Sequence, residues 1–198
     1  MKHENTGEMK QKILDAAWKL FEEKGYVKTT LNDILKEANT SKGGFYYYFK
    51  AKDELLESMY VVFDKEYEKF YANMDKTQNH IEQFLQLSQY MFFYIEANVT
   101  PELMAELYIG QLSELRQDIS FNPNRSYMRL VKEIIENGQK AGEITCEQTA
   151  DELTHHINVL ERGILYDWCA QKGAFPLGKM GVINMEKYIS FMKVRQEN

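Results

Sequence analysis

The sequence predicts an all-α chain of about nine helices, with a small N-terminal helix-turn-helix domain and a larger helical domain behind it. Only three prolines and eleven glycines interrupt 198 residues. Apolar residues recur every three or four positions along most of the chain, which is the spacing of amphipathic helices. The hydrophobic share, 44%, is that of a globular protein. Two cysteines are too few for a disulfide framework or a four-ligand zinc site, so neither a metal nor a cofactor is expected.

Charge divides the chain into two predicted domains. Residues 1–52 hold ten lysines and seven acidic residues, whereas residues 53–198 carry a net charge of −9. We therefore predict a basic domain over 1–52 and an acidic domain over 53–198, with any DNA contact confined to the basic end. The longest apolar run, Tyr90–Ile95, is far shorter than the roughly 20 residues of a membrane span. The N-terminus has no secretory signature, so we expect a cytoplasmic protein without a membrane partner.

The basic domain is predicted to contain three helices. Apolar spacing over residues 13–21 predicts a first helix that ends at Gly25, a residue suited to the left-handed conformation. Thr30 is the predicted N-cap of a short second helix. Asn39 tolerates the left-handed backbone of a tight turn, and Ser41 caps a third short helix. This order is the outline of a helix-turn-helix unit.

The acidic domain is predicted to contain six further helices. They cover residues 52–74, about 79–97, a segment opened by Thr100-Pro101, a segment ending between Gly138 and Gly142, a long helix ending near Gly173, and about 180–194. Proline is favoured at the first position of a helix, which supports the start at Pro101. Thr145 and Gln148 are the predicted capping box of the long helix. Asn122–Asn124 and Gly173–Gly178 are predicted loops.

The aromatic segment FYYYF, residues 45–49, decides what the basic domain does. Aromatic residues favour strands, but a single strand would find no partner in an otherwise helical chain. In a helix, Phe45 and Phe49 share the inward face, while the tyrosines and Lys42 lie largely outward. Exposed tyrosines and lysines suit a phosphate backbone. Gly43 and Gly44 remove bulk in the first turn, so that backbone N–H groups can approach DNA closely.

An ordered pattern of residues runs from about position 10 to position 57. It consists of Gly25-Tyr26, Thr29-Thr30, Asp33-Ile34, Glu37-Ala38, Ser41-Lys42-Gly43, Tyr46, Phe49, Lys52 and Leu55. This pattern resembles the N-terminal signature of the TetR family of bacterial transcriptional regulators. The resemblance implies an all-helical homodimer that binds double-stranded, palindromic operator DNA and releases it when a small-molecule effector enters the larger domain. It implies a ligand-responsive regulator rather than an enzyme, and a repressor is expected. Activator action stays open, because it depends on promoter position and not on the chain.

The resemblance also implies roles for individual residues. Positions that contact phosphates in the family are matched by Thr30, Tyr47, Tyr48 and Lys52. Positions near base edges are matched by Asn32, Lys42, Gly44 and Tyr46, and Ser41 and Gly43 belong to the same DNA-binding segment. The chain departs from the family at Asn39, where glycine is frequent, and at Gly44, where threonine, serine or alanine is frequent. Because Gly44 has no side chain to contact a base, discrimination is expected to depend on Lys42, Tyr46 and Asn32.

Two apolar stripes in the last two predicted helices allow two interpretations. The stripes are Leu153, Ile157, Leu160, Ile164 and Trp168, followed by Val182, Met185, Ile189 and Met192. Periodicity alone favours ordinary core, whereas the resemblance implies a four-helix dimer interface. Such a dimer would space two DNA-binding helices about 34–36 Å apart, one for each half-site.

Residues 60–108 are rich in aromatic side chains and methionine. Most of them are expected to be core, yet the same composition suits an apolar pocket for a hydrophobic or aromatic effector. The candidate pocket residues are Phe63, Tyr67, Phe70, Tyr90, Phe93, Tyr94, Met104, Tyr108 and, from the eighth helix, His155. Glu96, Glu106 and Glu161 are candidate counter-charges for a cationic ligand, although a solvated surface position is expected for each.

One alternative function stays open from the sequence. The chain could be a helical-bundle small-molecule carrier or enzyme whose basic N-terminal domain is incidental to its function. Turnover or bound metal without DNA affinity would support this alternative. Against an enzyme, the chain has no P-loop, nucleophile elbow, zinc-ligand spacing or dinucleotide fingerprint.

Overall fold

Nine α-helices make up the regular structure of residues 4–112, 125–190 and 192, which the computed structural model describes. They are α1 Glu4–Lys24, α2 Leu31–Glu37, α3 Lys42–Tyr48, α4 Asp53–Asn73, α5 His80–Asn98, α6 Pro101–Leu112, α7 Ser126–Lys140, α8 Ala150–Ala170 and α9 Leu177–Ile189. The predicted all-α fold is confirmed over these ranges. The predicted loop at Asn122–Asn124 lies outside them. Within them, no helix is long and apolar enough to cross a membrane.

We call the first three helices, up to Lys52, the head; the division into two domains at this point stays a prediction. Ile13, Ile34 and Phe45, one from each helix, are completely buried together in the apolar core. Gly25 has a φ of 82° and Asn39 a φ of 49°, so both predicted turns use the left-handed backbone. Burying a side chain of this size stabilises the fold by about 1.5–3 kcal/mol, so the head is held together chiefly by this apolar contact.

Helix α2 begins with the predicted N-cap, reinforced by a reciprocal bond. The Thr30 hydroxyl accepts a hydrogen bond from the Asp33 N–H at 3.2 Å, and the Asp33 carboxylate accepts one from the Thr30 N–H at 2.8 Å. Lys24 lies 2.7 Å from the same carboxylate. The hydrogen bond from Lys24, followed by those from Thr30, lowers the pKa of Asp33 well below its usual range. The ion pair between Lys24 and Asp33 connects the end of α1 to the start of α2.

The remaining helices form the body, from Asp53 onwards, with α5 at its centre. Helix α5 packs against α4, α7 and α9, while α8 packs against α6, α7 and α9. The approach of α9 to α5 is close because Gly181 has no side chain: a Cβ there would lie 2.4 Å from the Phe92 ring. Glu96 completes the contact, since its carboxylate accepts hydrogen bonds from the N–H groups of Leu177 and Gly178 at 2.8 and 2.9 Å. Its predicted solvated role is therefore wrong, because it caps α9.

Two predicted helix boundaries are wrong. The capping box of α8 is formed by Thr149 and Glu152, not by Thr145 and Gln148. The Thr145 hydroxyl instead accepts a hydrogen bond from the Glu147 N–H in the preceding turn. Helix α9 begins at Leu177, so Gly178 belongs to its first turn rather than to a loop.

We predict that Gly181→Ala destabilises the chain, because the new methyl group overlaps the ring of Phe92, which is fully buried and cannot move aside. Overpacking of this kind costs about 1–3 kcal/mol, more than alanine gains in helix propensity. Gly7→Ala is the control, since a Cβ at Gly7 meets nothing within 4 Å. Denaturant unfolding at one protein concentration measures both variants, and equal midpoints for the two would contradict the close approach.

Candidate functional site

The exposed face of α3 carries aromatic and basic side chains. Tyr46 is 54% exposed and Tyr47 is 74% exposed, and Lys42 also faces solvent. Phe45 and Phe49 are buried, with their ring centroids 5.6 Å apart. The helical interpretation of the aromatic segment is therefore confirmed. The two phenylalanines anchor the helix and leave the tyrosines on its outer side.

The first turn of α3 is built from a serine cap and two glycines. The Ser41 hydroxyl accepts a hydrogen bond from the Gly44 N–H at 3.0 Å, so that N–H is already used within the helix. A Cβ at Gly44 would lie 2.5 Å from the Thr40 hydroxyl, whereas Gly43 is exposed and faces open space apart from a distant contact with Ser41. Gly43 is thus the glycine past which another molecule can approach the backbone closely.

Helix α2 presents its N-terminus to solvent. Thr30 and Asn32 are both exposed, and Thr30 is at the same time the N-cap. Among the residues that the structure describes, the Asn32 amide has no side-chain hydrogen bond. An exposed helix N-terminus carries partial positive charge and attracts anions such as phosphate.

Two predicted phosphate contacts have other partners in the structure. Tyr48 is half-buried and packs against the core, rather than standing on the exposed face with Tyr46 and Tyr47. The Lys52 ammonium donates hydrogen bonds to the carbonyl oxygens of Tyr26 and Thr29, each at 3.0 Å. It also lies 3.9 Å from the centre of the Tyr26 ring, and burial lowers its pKa. Lys52 therefore holds the junction between head and body.

A small internal cavity of about 90 Å³ lies among α4, α5, α6, α7 and α8. Four of the predicted pocket residues line it, namely Phe63, Tyr67, Met104 and Tyr108. Polar groups also reach it, from Asn158, Glu161 and Arg162 on α8 and from Arg125 before α7. A mostly aromatic wall with a few polar groups is typical of a small-molecule site.

Glu161 is the residue that sequence reasoning misplaced. Its carboxyl group is buried, with 3% of the residue exposed, and accepts hydrogen bonds from the Ser88 hydroxyl at 2.7 Å and the Tyr127 hydroxyl at 2.6 Å. Burial raises its pKa to about 7. The spacing of Ile157, Glu161 and Leu165 puts all three on one face of α8, and that pattern is the signal that could have revealed a buried position.

The arginines of the cavity are held by neighbouring groups. Arg125 pairs with Asp64 at 3.0 Å, and its guanidinium group lies 4.3 Å from the centre of the Tyr60 ring. Arg162 is partly buried, and burial lowers its pKa. The cavity thus combines aromatic walls with fixed cations and one carboxyl group that titrates near neutral pH.

Five predicted pocket residues do not line this cavity. Phe70 and Tyr90 stack on each other outside it, with centroids 4.1 Å apart. Phe93 is 46% exposed and covers the start of α9, and His155 lies on the exposed face of α8. Tyr94 lines a different space, a groove between head and body. For Tyr90, Phe93 and Tyr94, helical periodicity did not separate the positions because α5 buries more than one face.

Comparison with known proteins agrees with this arrangement. Residues 13–59 match the family model described as bacterial regulatory proteins, tetR family. The negative transcriptional regulator IcaR of the biofilm operon icaADBC of Staphylococcus aureus is 32% identical over 143 residues, which cover 65% of this chain and 77% of IcaR. The chain belongs to the TetR family. It is a DNA-binding transcriptional regulator.

Further similarities extend over nearly the whole TetR-family chain. The HTH-type transcriptional regulator YhgD of Bacillus subtilis is 29% identical over 192 residues, covering 91% of this chain and 94% of YhgD. FadR of Thermus thermophilus, solved in complex with lauroyl-CoA, has a TM-score of 0.73 at 18% identity and covers 95% of this chain and 97% of that one. That likeness concerns the fold, which is the one expected for a TetR-family regulator.

The apolar stripes of α8 and α9 face mainly inward in this TetR-family chain. Six of the nine predicted interface residues are at most 4% exposed within the single chain, so little of their surface is left for a partner; they are Leu153, Ile157, Trp168, Met185, Ile189 and Met192. For these six, burial within the single chain supports the core interpretation, and their part in a dimer interface stays a prediction. Leu160 is 38% exposed, and Ile164 and Val182 are partly exposed. Beside them, Val159 and Tyr166 of α8 are 55% and 66% exposed.

We predict that Glu161→Gln stabilises the regulator at alkaline pH. Because the pKa is about 7 when folded and 4.5 ordinarily, the folded chain binds this proton more tightly. The contribution of Glu161 to folding stability is therefore fully present below about pH 4.5 and is lost as pH rises through about 7. Glutamine keeps an oxygen for both hydroxyl donors and cannot ionise. At pH 8.5 its free energy of unfolding should exceed that of the wild type by about 1–3 kcal/mol.

Chemical unfolding at pH 5 and pH 8.5, at equal protein concentration, measures this effect. Glu147→Gln is the matched control, because Glu147 is exposed in the connection before α8. A Glu161→Gln variant that is less stable than the wild type at pH 8.5 would show that the carboxylate is favourable in its buried position.

Proposed function

We propose that this protein is a repressor that binds a palindromic operator through α3 of each protomer of a homodimer and releases it when a small molecule enters the body. The observation that carries the proposal is the exposed face of α3, where Lys42, Tyr46 and Tyr47 surround a glycine-lined first turn. A helix of this kind fits the major groove, and its basic residues neutralise phosphate charge.

Different residues serve different parts of DNA binding in this proposal. Lys42, Tyr46 and Asn32 approach base edges, since their side chains are exposed beside the first turns of α3 and α2. Tyr47 contacts phosphate through its hydroxyl group. The Thr30 hydroxyl already donates to the Asp33 carboxylate at 2.6 Å, so Thr30 keeps its capping role at the start of α2. Lys52 supports the head from behind, because its ammonium already donates to two backbone carbonyls. Contacts to phosphate position the helix, and contacts to base edges give sequence preference.

The effector site in this proposal is the internal cavity. Tyr67, Met104 and Tyr108 supply an apolar wall, and Glu161 and Arg162 supply polar groups. A volume of about 90 Å³ holds only a few non-hydrogen atoms, so a larger effector must displace lining side chains. Helix α4 lines the cavity and begins next to Lys52, so its displacement would move the head. FadR of Bacillus subtilis, similar in fold with a TM-score of 0.73, was solved with stearoyl-CoA.

The dimer in this proposal forms through the outer faces of α8 and α9. Val159, Leu160 and Tyr166 of α8 and Met180 of α9 are exposed apolar side chains. Gly163 lies among them with open space around it, which lets a partner helix approach closely. Contiguous apolar surface of this kind is typical of a protein–protein interface.

A carrier or an enzyme, the alternative left open by the sequence, is not favoured. The family consists of transcriptional regulators. A basic head that presents its aromatic face to solvent has a use in DNA binding and none in a carrier.

We expect Lys42→Ala to lower operator affinity about 10–100-fold, because a base contact is lost. The ratio of its affinity for the operator to its affinity for unrelated DNA should also fall. Lys12→Ala removes the same charge from the exposed side of α1 and should reduce affinity much less. Mobility shift with the protein's own upstream promoter DNA, over a range of salt concentrations, measures both variants. Equal losses would indicate that Lys42 acts only as a distant charge.

We expect Val159→Glu to weaken dimerisation at least about 100-fold, because burying an unpaired carboxylate costs several kcal/mol. Val61→Glu is the matched control, since Val61 on α4 is also 55% exposed. Sedimentation over a dilution series gives the dissociation constant of each variant. A Val159→Glu protein that dimerises like Val61→Glu would place the interface elsewhere.

A further inference from the structure

A second space lies between the head and the body, separate from the proposed effector cavity. It is a groove of about 560 Å³, bounded by α1 on one side and by α4 and the end of α5 on the other. This volume lies within the range of small-molecule sites, about 300–1,000 Å³. We call it the joint groove. It is much larger than the internal cavity.

Aromatic and apolar side chains form the floor of the joint groove. Trp18 comes from α1, Tyr48 and Phe49 from the end of α3, Val62 from α4, and Tyr94 from α5. The Val62 side chain is 45% exposed and lines this groove. Rings from three different helices therefore present their faces or edges to one space.

A pair of rings separates the joint groove from the internal cavity. Phe63 lines both spaces, and its ring meets that of Tyr94 edge to face, with centroids 6.1 Å apart. Tyr94 lines the groove and not the cavity. Among the described residues, Phe63 is the one lining residue that the two spaces share, so substitutions at other positions probe each space separately.

The rim of the joint groove is predominantly acidic. Its carboxylates are Asp15, Glu22, Glu54 and Glu57, against the two ammonium groups of Lys10 and Lys65. One cation already lies over an aromatic ring of this groove, since the Lys10 ammonium is 5.7 Å from the centre of the Phe49 ring. Aromatic faces bind cations through the ring quadrupole, and carboxylates add Coulomb attraction.

We propose that the joint groove is a binding site for an apolar organic cation, distinct from the effector cavity. Aromatic rings would cover the apolar body of such a ligand, and the acidic rim would neutralise its charge without burying a carboxylate. An apolar anion of the same size would meet the same rings but the wrong charge. The site goes beyond the proposed function, because it does not involve Glu161 or the other polar groups of the cavity.

A ligand in the joint groove touches head and body at once. Trp18 and Glu22 belong to the head, whereas Val62 and Tyr94 belong to the body. Its affinity therefore depends on the angle between the two units, and by reciprocity its binding biases that angle.

The test compares tetraphenylphosphonium with tetraphenylborate, two ions of the same shape and opposite charge. Trp18 lines the groove, whereas Trp168 is 4% exposed in α8. We expect tetraphenylphosphonium to quench tryptophan fluorescence saturably in the full-length wild type, and tetraphenylborate to bind at least tenfold more weakly. The quenching should be lost in Trp18→Phe, which keeps an apolar ring and the fold.

A pair of neighbouring substitutions provides the charge control. Glu22→Lys should weaken tetraphenylphosphonium binding at least fivefold, whereas Glu23→Lys makes the same change in net charge on α1 outside the groove and should have little effect. Glu161→Gln should leave the affinity unchanged, because Glu161 faces the cavity. Equal affinity for both ions, equal effects at Glu22 and Glu23, or a loss of binding in Glu161→Gln would each overturn the proposal. None of these results bears on operator binding by α3.

Discussion

The junction between the head and the body is organised around one ammonium group, that of Lys52. It donates to the carbonyl oxygens of Tyr26 and Thr29 and lies against the Tyr26 ring, while the Tyr26 hydroxyl bonds to Asp53 at the start of α4. Thr29 is buried, and its hydroxyl donates to the carbonyls of Leu20 and Gly25 at the end of α1. A charged donor makes stronger hydrogen bonds than a neutral one, so the turn between α1 and α2 is fixed to α4.

Helix α4 contacts the turn of the head and lines both the internal cavity and the joint groove. Its first residue meets the turn of the head, its middle lines both the joint groove and the internal cavity through Phe63, and Asp64 holds Arg125 of the cavity wall. A rigid helix of 21 residues transmits a shift at one point to the other. In the proposals made above, small molecules would act on the same helix from two separate sites, the internal cavity and the joint groove.

Much of the fold could be predicted from local sequence, because helical periodicity, Gly25, Asn39 and the Thr30 cap are local signals. The capping box of α8 was ambiguous, since Thr145 and Thr149 both have a suitable partner three residues later and only tertiary packing selects one. The exposed face of α3 followed from the spacing of Phe45 and Phe49. Burial of Glu161 did not follow, because its donors, Ser88 and Tyr127, come from helices distant in the chain. Which apolar side chains of α8 face the core and which face solvent also depends on the neighbouring helices, so periodicity alone cannot decide it.

The buried Glu161 carboxyl group has a thermodynamic consequence for whatever occupies the cavity. With a pKa near 7, the group is partly protonated at neutral pH, and a bound molecule that changes its surroundings must change its proton occupancy. An anionic group brought close to it would draw a proton from the buffer, and a cationic group would release one. Calorimetric heats of binding would then differ between buffers in proportion to their ionisation enthalpies. The sign of that dependence would reveal the charge of an effector before its chemical identity is known.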